Sequence, residues 1–316
     1  MHRWRTASAA AQGFHVGANL PWVTYGGDFG CSAGRLSGGL AQRADLADLA
    51  ALMTRAAEAG VSVVRWFLFC DGRGGVAFDE RGWPLHVHDE VWRDVDTALR
   101  LVDGAGLDLV FVAFDFHWWR VPDGMRRLAP GRSASFVDPF GREALLDRVL
   151  APVLRRYGGE PAIRAWDLVN EPEWVTLGLG AWDPRRAFDA GDVRALLRAG
   201  VELVHAETAH ACTVGSASFR WLPLVAGLGL DLYQAHWYDK LDARTPLGVP
   251  VDLATCGVPI VLGEFPTRGS RHMTAAILDA ARASGYCGAW FWSLNATDEA
   301  TDAEAGIRGV AEWLVR

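Results

Sequence analysis

The stretch Ala162–Glu173 reads AIRAWDLVNEPE. Its apolar residues suit a buried strand, but Asn170, Glu171 and Pro172 are types that a core strand would not select. The strand is held by its apolar part and presents an amide and a carboxyl at its C-terminal end. A second stretch, Pro259–Pro266 (PIVLGEFP), has the same form and ends in Glu264. Nearly continuous apolar runs of this length are the mark of parallel strands covered on both faces.

Working outward, the same pattern recurs along the chain. Phe14–Leu20 (FHVGANL) is the first strand candidate, and Val61–Phe69 (VSVVRWFLF) is a run interrupted only by Ser62 and Arg65. Leu107–Phe116 (LDLVFVAFDF) runs into His117, Trp118, Trp119 and Arg120. Cys212–Ser218 is a weaker strand, and Leu230–Tyr238 and Gly288–Leu294 complete the set. Helical spacing fills most of the intervals. Leu46, Leu49, Met53, Ala56 and Ala57 share one face of residues 42–59, which Gly60 stops. Further helices are predicted over 89–103, from Asp138 and Pro139 to about Tyr157 with a bend at Pro152, over 192–205 and 271–283, and over 304–315 to close the chain. Residues 71–88 read as loop and 251–256 as one helical turn. The interval between the fifth and sixth strands is short, so one helix is missing or reduced.

Eight strand–helix alternations predict a parallel sheet, and 316 residues fit its closure into a single (β/α)8 TIM barrel. An open doubly wound sheet would use fewer strands, and its nucleotide-binding form would carry a Gly-rich turn where this chain has GANLPW. No repeat, linker or low-complexity segment marks a second domain. The expectation is one catalytic domain over 1–316, with 1–12 a loose N-terminal extension.

Composition narrows the function classes. A formal charge of −7, with signs mixed along the chain, argues against nucleic-acid and anionic-membrane partners. Five scattered cysteines (Cys31, Cys70, Cys212, Cys256, Cys287) have no metal spacing and read as free thiols. The start MHRWRTASAAAQG lacks an apolar signal core, so a cytoplasmic location is expected unless a leader has been removed. His86 and His88 suggest no third ligand nearby and read as exposed loop histidines. The fifteen tryptophans are the odd feature. Several follow strands, where indoles either pack the core or offer flat apolar faces to sugar rings.

In a barrel of this kind the C-terminal strand ends form the active face. Read in order they give Asn19, Arg65, His117, Asn170, Glu171, His236, Tyr238, Glu264 and Trp292, with Trp22 just beyond the first strand. His236 and Tyr238 alternate with period two and so point to one side. Arg65, inside an apolar run, either serves the site or satisfies a buried acid.

This set resembles the retaining β-glycosidases of the (β/α)8 clan, in particular glycoside hydrolase family 5, the cellulase and mannanase family. The resemblance rests on Arg65, His117, Asn170-Glu171-Pro172, His236-x-Tyr238, Glu264 and Trp292 at successive strand ends. It implies hydrolysis of β-linked glucosides or mannosides through an oxocarbenium-like transition state, with Glu171 as acid/base and Glu264 as nucleophile. It further implies that Arg65 and the Tyr238 hydroxyl stabilise ionised Glu264, while Glu171 is protonated in the free enzyme. Asn170 would donate to the 2-hydroxyl of the reacting sugar. His117 and His236 would line the same subsite, Trp292 would be its floor, and Asn19 and Trp22 would join it. Trp118, Trp119, Trp174 and Trp182 are either outer sugar subsites or loop packing. No metal and no organic cofactor are implied, and the expected partner is a carbohydrate substrate. A sugar-binding barrel without catalysis and a transglycosylase are the competing readings; a decayed site would most cheaply have lost one glutamate, and both are present.

Overall fold

The computed structural model describes residues 13–30, 38–119, 134–242 and 257–316. Arg120, the segment 251–256, Cys31, Cys256 and the N-terminal 1–12 lie outside the described residues. Ten strands are formed among the rest: β1 His15–Asn19, β2 Val63–Phe67, β3 Val76–Phe78, β4 Pro84–Val87, β5 Asp108–Asp115, β6 Ile163–Asn170, β7 Ala211–Ser216, β8 Tyr233–His236, β9 Ile260–Pro266 and β10 Gly288–Trp292. Eight of them close into a barrel in the order β1-β10-β9-β8-β7-β6-β5-β2, with every described pairing parallel. Nearly all their residues are buried, as strands covered inside by their own side chains and outside by helices must be.

The barrel interior is layered by the period-two alternation of each strand. At the N-terminal end, Val63, Val110, Ala165, Ala211, Leu232, Val261 and Trp290 form an apolar plug. A Cβ at Gly17 would lie 2.3 Å from the Trp290 ring, so only glycine leaves room for that indole. Two residues further along their strands stand Asn19, Arg65, Asp167, Thr213 and Gln234, all fully buried. A polar layer therefore sits on the apolar plug, and the rim sits on the polar layer.

Helices Leu46–Glu58, Asp89–Gly104, Ala190–Glu207, Thr274–Ala283 and Ala303–Leu314 cover the outside. The segment predicted as one bent helix to Tyr157 is Pro139–Leu145, a π-helical turn Leu146–Leu150, and Ala151–Tyr157. The wide turn lies just before Pro152, whose ring cannot donate to the carbonyl four residues back. Asp138 caps this segment by accepting from the Phe140 N–H at 2.9 Å. The reduced helix between the fifth and sixth barrel strands is a 3-10 segment, Phe219–Leu224, containing Pro223. Residues 71–88 are not all loop, since β3 and β4 pair as a short antiparallel hairpin. Among the described residues no helix is long and apolar enough to cross a membrane. Cys70 and Cys287 are free thiols, and Cys212 is buried.

Candidate active site

Arg65 is the hub of the polar layer. Its side chain has no solvent exposure, and its guanidinium reaches four partners on three other strands, β1, β6 and β9. Nε donates to Asp167 Oδ2 at 2.9 Å, Nη1 to Glu264 Oε1 at 2.7 Å and to Asn19 Oδ1 at 3.0 Å, and Nη2 to Asn170 Oδ1 at 2.8 Å. Burial alone would lower the guanidinium's pKa, but Asp167 and Glu264 outweigh it and hold Arg65 charged. Asp167 is held in turn by Gln234 Nε2 at 2.6 Å and by the Gly215 N–H at 3.0 Å. A Cβ at Gly263 would lie 2.2 Å from Gln234, so a glycine on β9 makes space for the amide that orients Asp167.

The two rim glutamates sit above this layer in different surroundings. Glu264, on β9, accepts from Arg65 through one oxygen and from the Tyr238 hydroxyl at 2.8 Å through the other. Burial raises its pKa, with Arg65 and the Tyr238 hydroxyl pulling the other way. Glu171, the residue just after β6, takes left-handed backbone geometry (φ +49°), an uncommon conformation for a residue with a side chain. Its Oε1 lies 2.8 Å from His236 Nδ1, and its Oε2 accepts from Trp174 Nε1 at 2.6 Å. Burial pushes its pKa up to about 7, against the Trp174 hydrogen bond. Glu264 is thus bonded to a full cation and Glu171 only to neutral partners. That difference favours the charged form at Glu264 and the protonated form at Glu171. Burial also lowers the His236 pKa to about 4, so this imidazole is neutral.

Of the other rim residues, Asn170 accepts from Arg65 and donates through Nδ2 to Asp115 Oδ1 at 3.3 Å. Its amide is thereby oriented, with a second Nδ2 hydrogen left as a donor. His117 is 2.8 Å from Asp115 Oδ2 through Nδ1. Tyr238 lies two residues beyond the end of β8, yet it reaches Glu264 from the same side as His236. Trp292 ends β10 and donates to Asp298 at 2.7 Å; Trp22 meets it edge-on with ring centres 6.0 Å apart. Asn19 is fully buried, and its Nδ2 donates to the Gly263 and Phe291 carbonyls at 2.9 and 3.2 Å. Its amide is occupied in holding Arg65 and two neighbouring strands.

The four loop tryptophans separate. Trp118 and Trp119 are buried in the core, and Trp119 donates to Ser135 at 2.6 Å. Trp174 is bonded to Glu171, and Trp182 is 53% exposed. Four polar neighbours were not singled out from the sequence: Asp167, Gln234, Asp115 and Glu173. The signal for the first was available, because Asp167 and Arg65 are lone opposite charges in apolar strands. Asp115 and Gln234 each stand two residues before a rim histidine, and Gln234 shares a strand face with His236. Glu173 is fully buried, accepts from the Ala217 N–H at 3.1 Å and has its other oxygen unpartnered; burial raises its pKa to about 8.

Glu171, His236 and Glu264 each offer an atom within 4.8 Å of those of the other two, a spacing that could also suit a metal ion. Arg65 already places a cation 2.7 Å from Glu264, which competes with that use. His86 and His88 lie with ring centres 6.1 Å apart and join no group of three candidate ligands among the described residues.

No family model matches the chain. It is 23% identical to a mannan endo-1,4-beta-mannosidase of Mytilus edulis over 326 aligned positions, which cover 89% of this chain and 84% of that protein. Its structure is similar to that of a beta-mannanase from the blue mussel Mytilus edulis, with a TM-score of 0.78 and 20% identity, over 96% of this chain and 92% of the other. An endo-1,4-beta-mannanase from Eisenia fetida matches with a TM-score of 0.76 and 20% identity, over 96% and 91%. At these identities the structural likeness speaks for the fold. The resemblance read from the sequence, to glycoside hydrolases built on a (β/α)8 barrel, is borne out by these relatives.

Proposed function

We propose that this chain, a glycosyl hydrolase on a (β/α)8 barrel, cleaves β-1,4-mannosidic linkages by a double displacement that retains anomeric configuration. The observation that carries the mechanism is the spacing of the glutamates, whose facing oxygens lie within 4.8 Å. Retaining glycosidases place their carboxyls about 5–5.5 Å apart, whereas an inverting pair stands about 6.5–9.5 Å apart to admit water. The mannan preference rests on the mannosidase relative, which is matched over most of both chains.

In the first step Glu264 attacks the anomeric carbon as Glu171 gives its proton to the glycosidic oxygen. The carbon–oxygen bond breaks, the leaving sugar departs with that proton, and a glycosyl ester forms on Glu264. Arg65 loses one anionic partner at that moment but keeps Asp167, so the buried cation stays compensated. Glu171, now ionised, takes a proton from water, which attacks the same carbon and frees Glu264. Asn170 presents its spare Nδ2 hydrogen to the 2-hydroxyl. Tyr238, whose burial holds its pKa far above the ordinary value, stays a donor to Glu264 throughout. We take the whole chain as one catalytic domain acting on a carbohydrate substrate.

The test is sugar release from β-1,4-linked manno- and gluco-oligosaccharides by the parent, Glu171→Ala and Glu264→Ala. The parent is expected to cleave the manno series, and Glu264→Ala none of it. Glu171→Ala is expected to lose about 10²–10⁴-fold, the usual weight of a positioned acid. Cleavage of the gluco series alone would reassign the substrate, and full activity in Glu264→Ala would remove the mechanism.

A further inference from the structure

The chain leaves the barrel sharply at Glu171. The β6–β7 register ends at Asn170 and Gly215, Glu171 takes its left-handed geometry, and Pro172–Val175 follow as a 3-10 turn. The Thr176 and Gly180 N–H groups donate to the Glu173 carbonyl at 3.1 and 3.2 Å, and the Thr176 hydroxyl donates to the Pro172 carbonyl at 2.8 Å. These bonds hold the turn's own shape. Others tie it to β7: the Glu171 N–H donates to the Gly215 carbonyl at 2.6 Å, and Glu173 Oε2 accepts from the Ala217 N–H at 3.1 Å.

The second tie answers a need of the fold. Ala217 is fully buried, and the β6–β7 register stops two residues before it. The Glu173 carboxyl supplies the acceptor that the departed strand does not, and without it a buried N–H would lose its bond. Glu173 does not itself meet a substrate, because its exposure is 0%, against 15% for the Glu171 side chain. Burial and the neighbouring Glu171 favour its uncharged form, which still accepts this N–H. The turn that Glu173 ties down also carries Trp174, whose indole is bonded to Glu171 Oε2.

We propose that Glu173 is a positioning residue for proton transfer to the leaving group, its carboxyl clamping the turn of Glu171 to the end of β7. A general acid works only within hydrogen-bonding reach of the oxygen it protonates, so a small shift of this turn withdraws the proton. The clamp acts at the backbone on both sides of the strained residue, through Glu171 itself and through Glu173 two positions on. Glu264, on β9, is held separately by Arg65 and Tyr238, so loosening the clamp spares the nucleophile. The proposal rests on the reading of Glu171 as the acid.

Two substrates separate positioning of the acid from general loosening. β-1,4-Mannopentaose needs a proton on its leaving oxygen, whereas 2,4-dinitrophenyl β-mannobioside releases a stable anion and needs none. In Glu173→Leu, kcat/KM for mannopentaose is expected to fall about 10–100-fold, a part of the 10²–10⁴-fold that a positioned acid gives. The loss on the dinitrophenyl substrate should be at least about five times smaller. Glu173→Gln keeps an uncharged acceptor for the Ala217 N–H and should recover most of the mannopentaose loss. Glu173→Asp keeps the carboxyl but shortens its reach, and should show the same selectivity if Glu173→Leu does not fold. Equal losses on both substrates would assign Glu173 a merely structural role and overturn the clamp. So would undiminished cleavage of mannopentaose by the Leu and Asp variants, or a Gln variant as impaired as the Leu one. A parent protein that turns over neither substrate would instead overturn the functional reading beneath it.

Discussion

Replacing Trp174 by Phe should move the alkaline limb of catalysis upward. The indole N–H lies 2.6 Å from Glu171 Oε2 and favours the ionised carboxyl, against burial that pushes the pKa up to about 7. A hydrogen bond to a charged group contributes about 1.5–3 kcal/mol net, and about 1.4 kcal/mol corresponds to one pKa unit. Its removal therefore raises the Glu171 pKa by about one to two units. In the proposed role of general acid, Glu171 must be protonated in the free enzyme, so kcat/KM falls as pH rises through its pKa. The limb expected near 7 in the parent moves to between about 8 and 9 in the variant. At pH 8 the parent then retains about a tenth of its protonated acid and the variant half or more. Phenylalanine keeps an aromatic ring against Trp182 and Trp221, which meet Trp174 at 6.0 and 5.3 Å, so the loop should hold. The assay is kcat/KM for mannopentaose from pH 5 to 10, each profile scaled to its own plateau. A limb that stays in place, or moves to lower pH, would refute the role given to this bond.

Glu173 supplies a stability counterpart. Its folded pKa of about 8 exceeds the ordinary 4.5, so between these values the native state holds a proton that the unfolded chain has lost. Stability therefore falls with rising pH across that window, by roughly 5 kcal/mol at ~1.4 kcal/mol per unit. Glu173→Gln cannot ionise, and urea unfolding at pH 6 and pH 9 should show a smaller drop than in the parent; parallel drops would contradict the assignment. Arg65→Met leaves Asp167 and Glu264 buried without a cation and should cost about 3–5 kcal/mol in unfolding free energy along with the activity. Gly263→Ala drives a methyl into Gln234 and should cost about 1–3 kcal/mol of overpacking, read as a lowered melting temperature, with activity reduced through a displaced Asp167.

The barrel was legible because each strand of a doubly covered parallel sheet must be apolar along its length, which leaves the polar strand ends conspicuous. The β3–β4 hairpin was not, since its three- and four-residue strands are shorter than the alternation needed to distinguish them from turn. The π turn before Pro152 was visible only as an expected bend, because sequence marks the missing donor without saying how the chain absorbs it. In the site, the glutamates and the residues that reach them were read from their positions. The layer beneath was harder. Asn19 reads as a rim residue by its place at the end of β1, but its side chain faces the barrel axis, where Arg65 engages it. Side-chain direction at a strand end depends on the local register, and four barrel pairings carry register shifts that sequence does not mark. Trp118 and Trp174 illustrate the same limit, because both follow strands and only one faces the acid.

The most direct test of the carboxylate pair is the configuration of the sugar at the moment it is released. Proton NMR of mannopentaose cleavage, recorded within the first minutes, separates the two anomers before mutarotation mixes them. Two successive displacements at one carbon should give the β-anomer first, with the α-anomer growing only as equilibrium is approached. The α-anomer appearing first would mean a single displacement by water, and Glu264 would then not be a nucleophile.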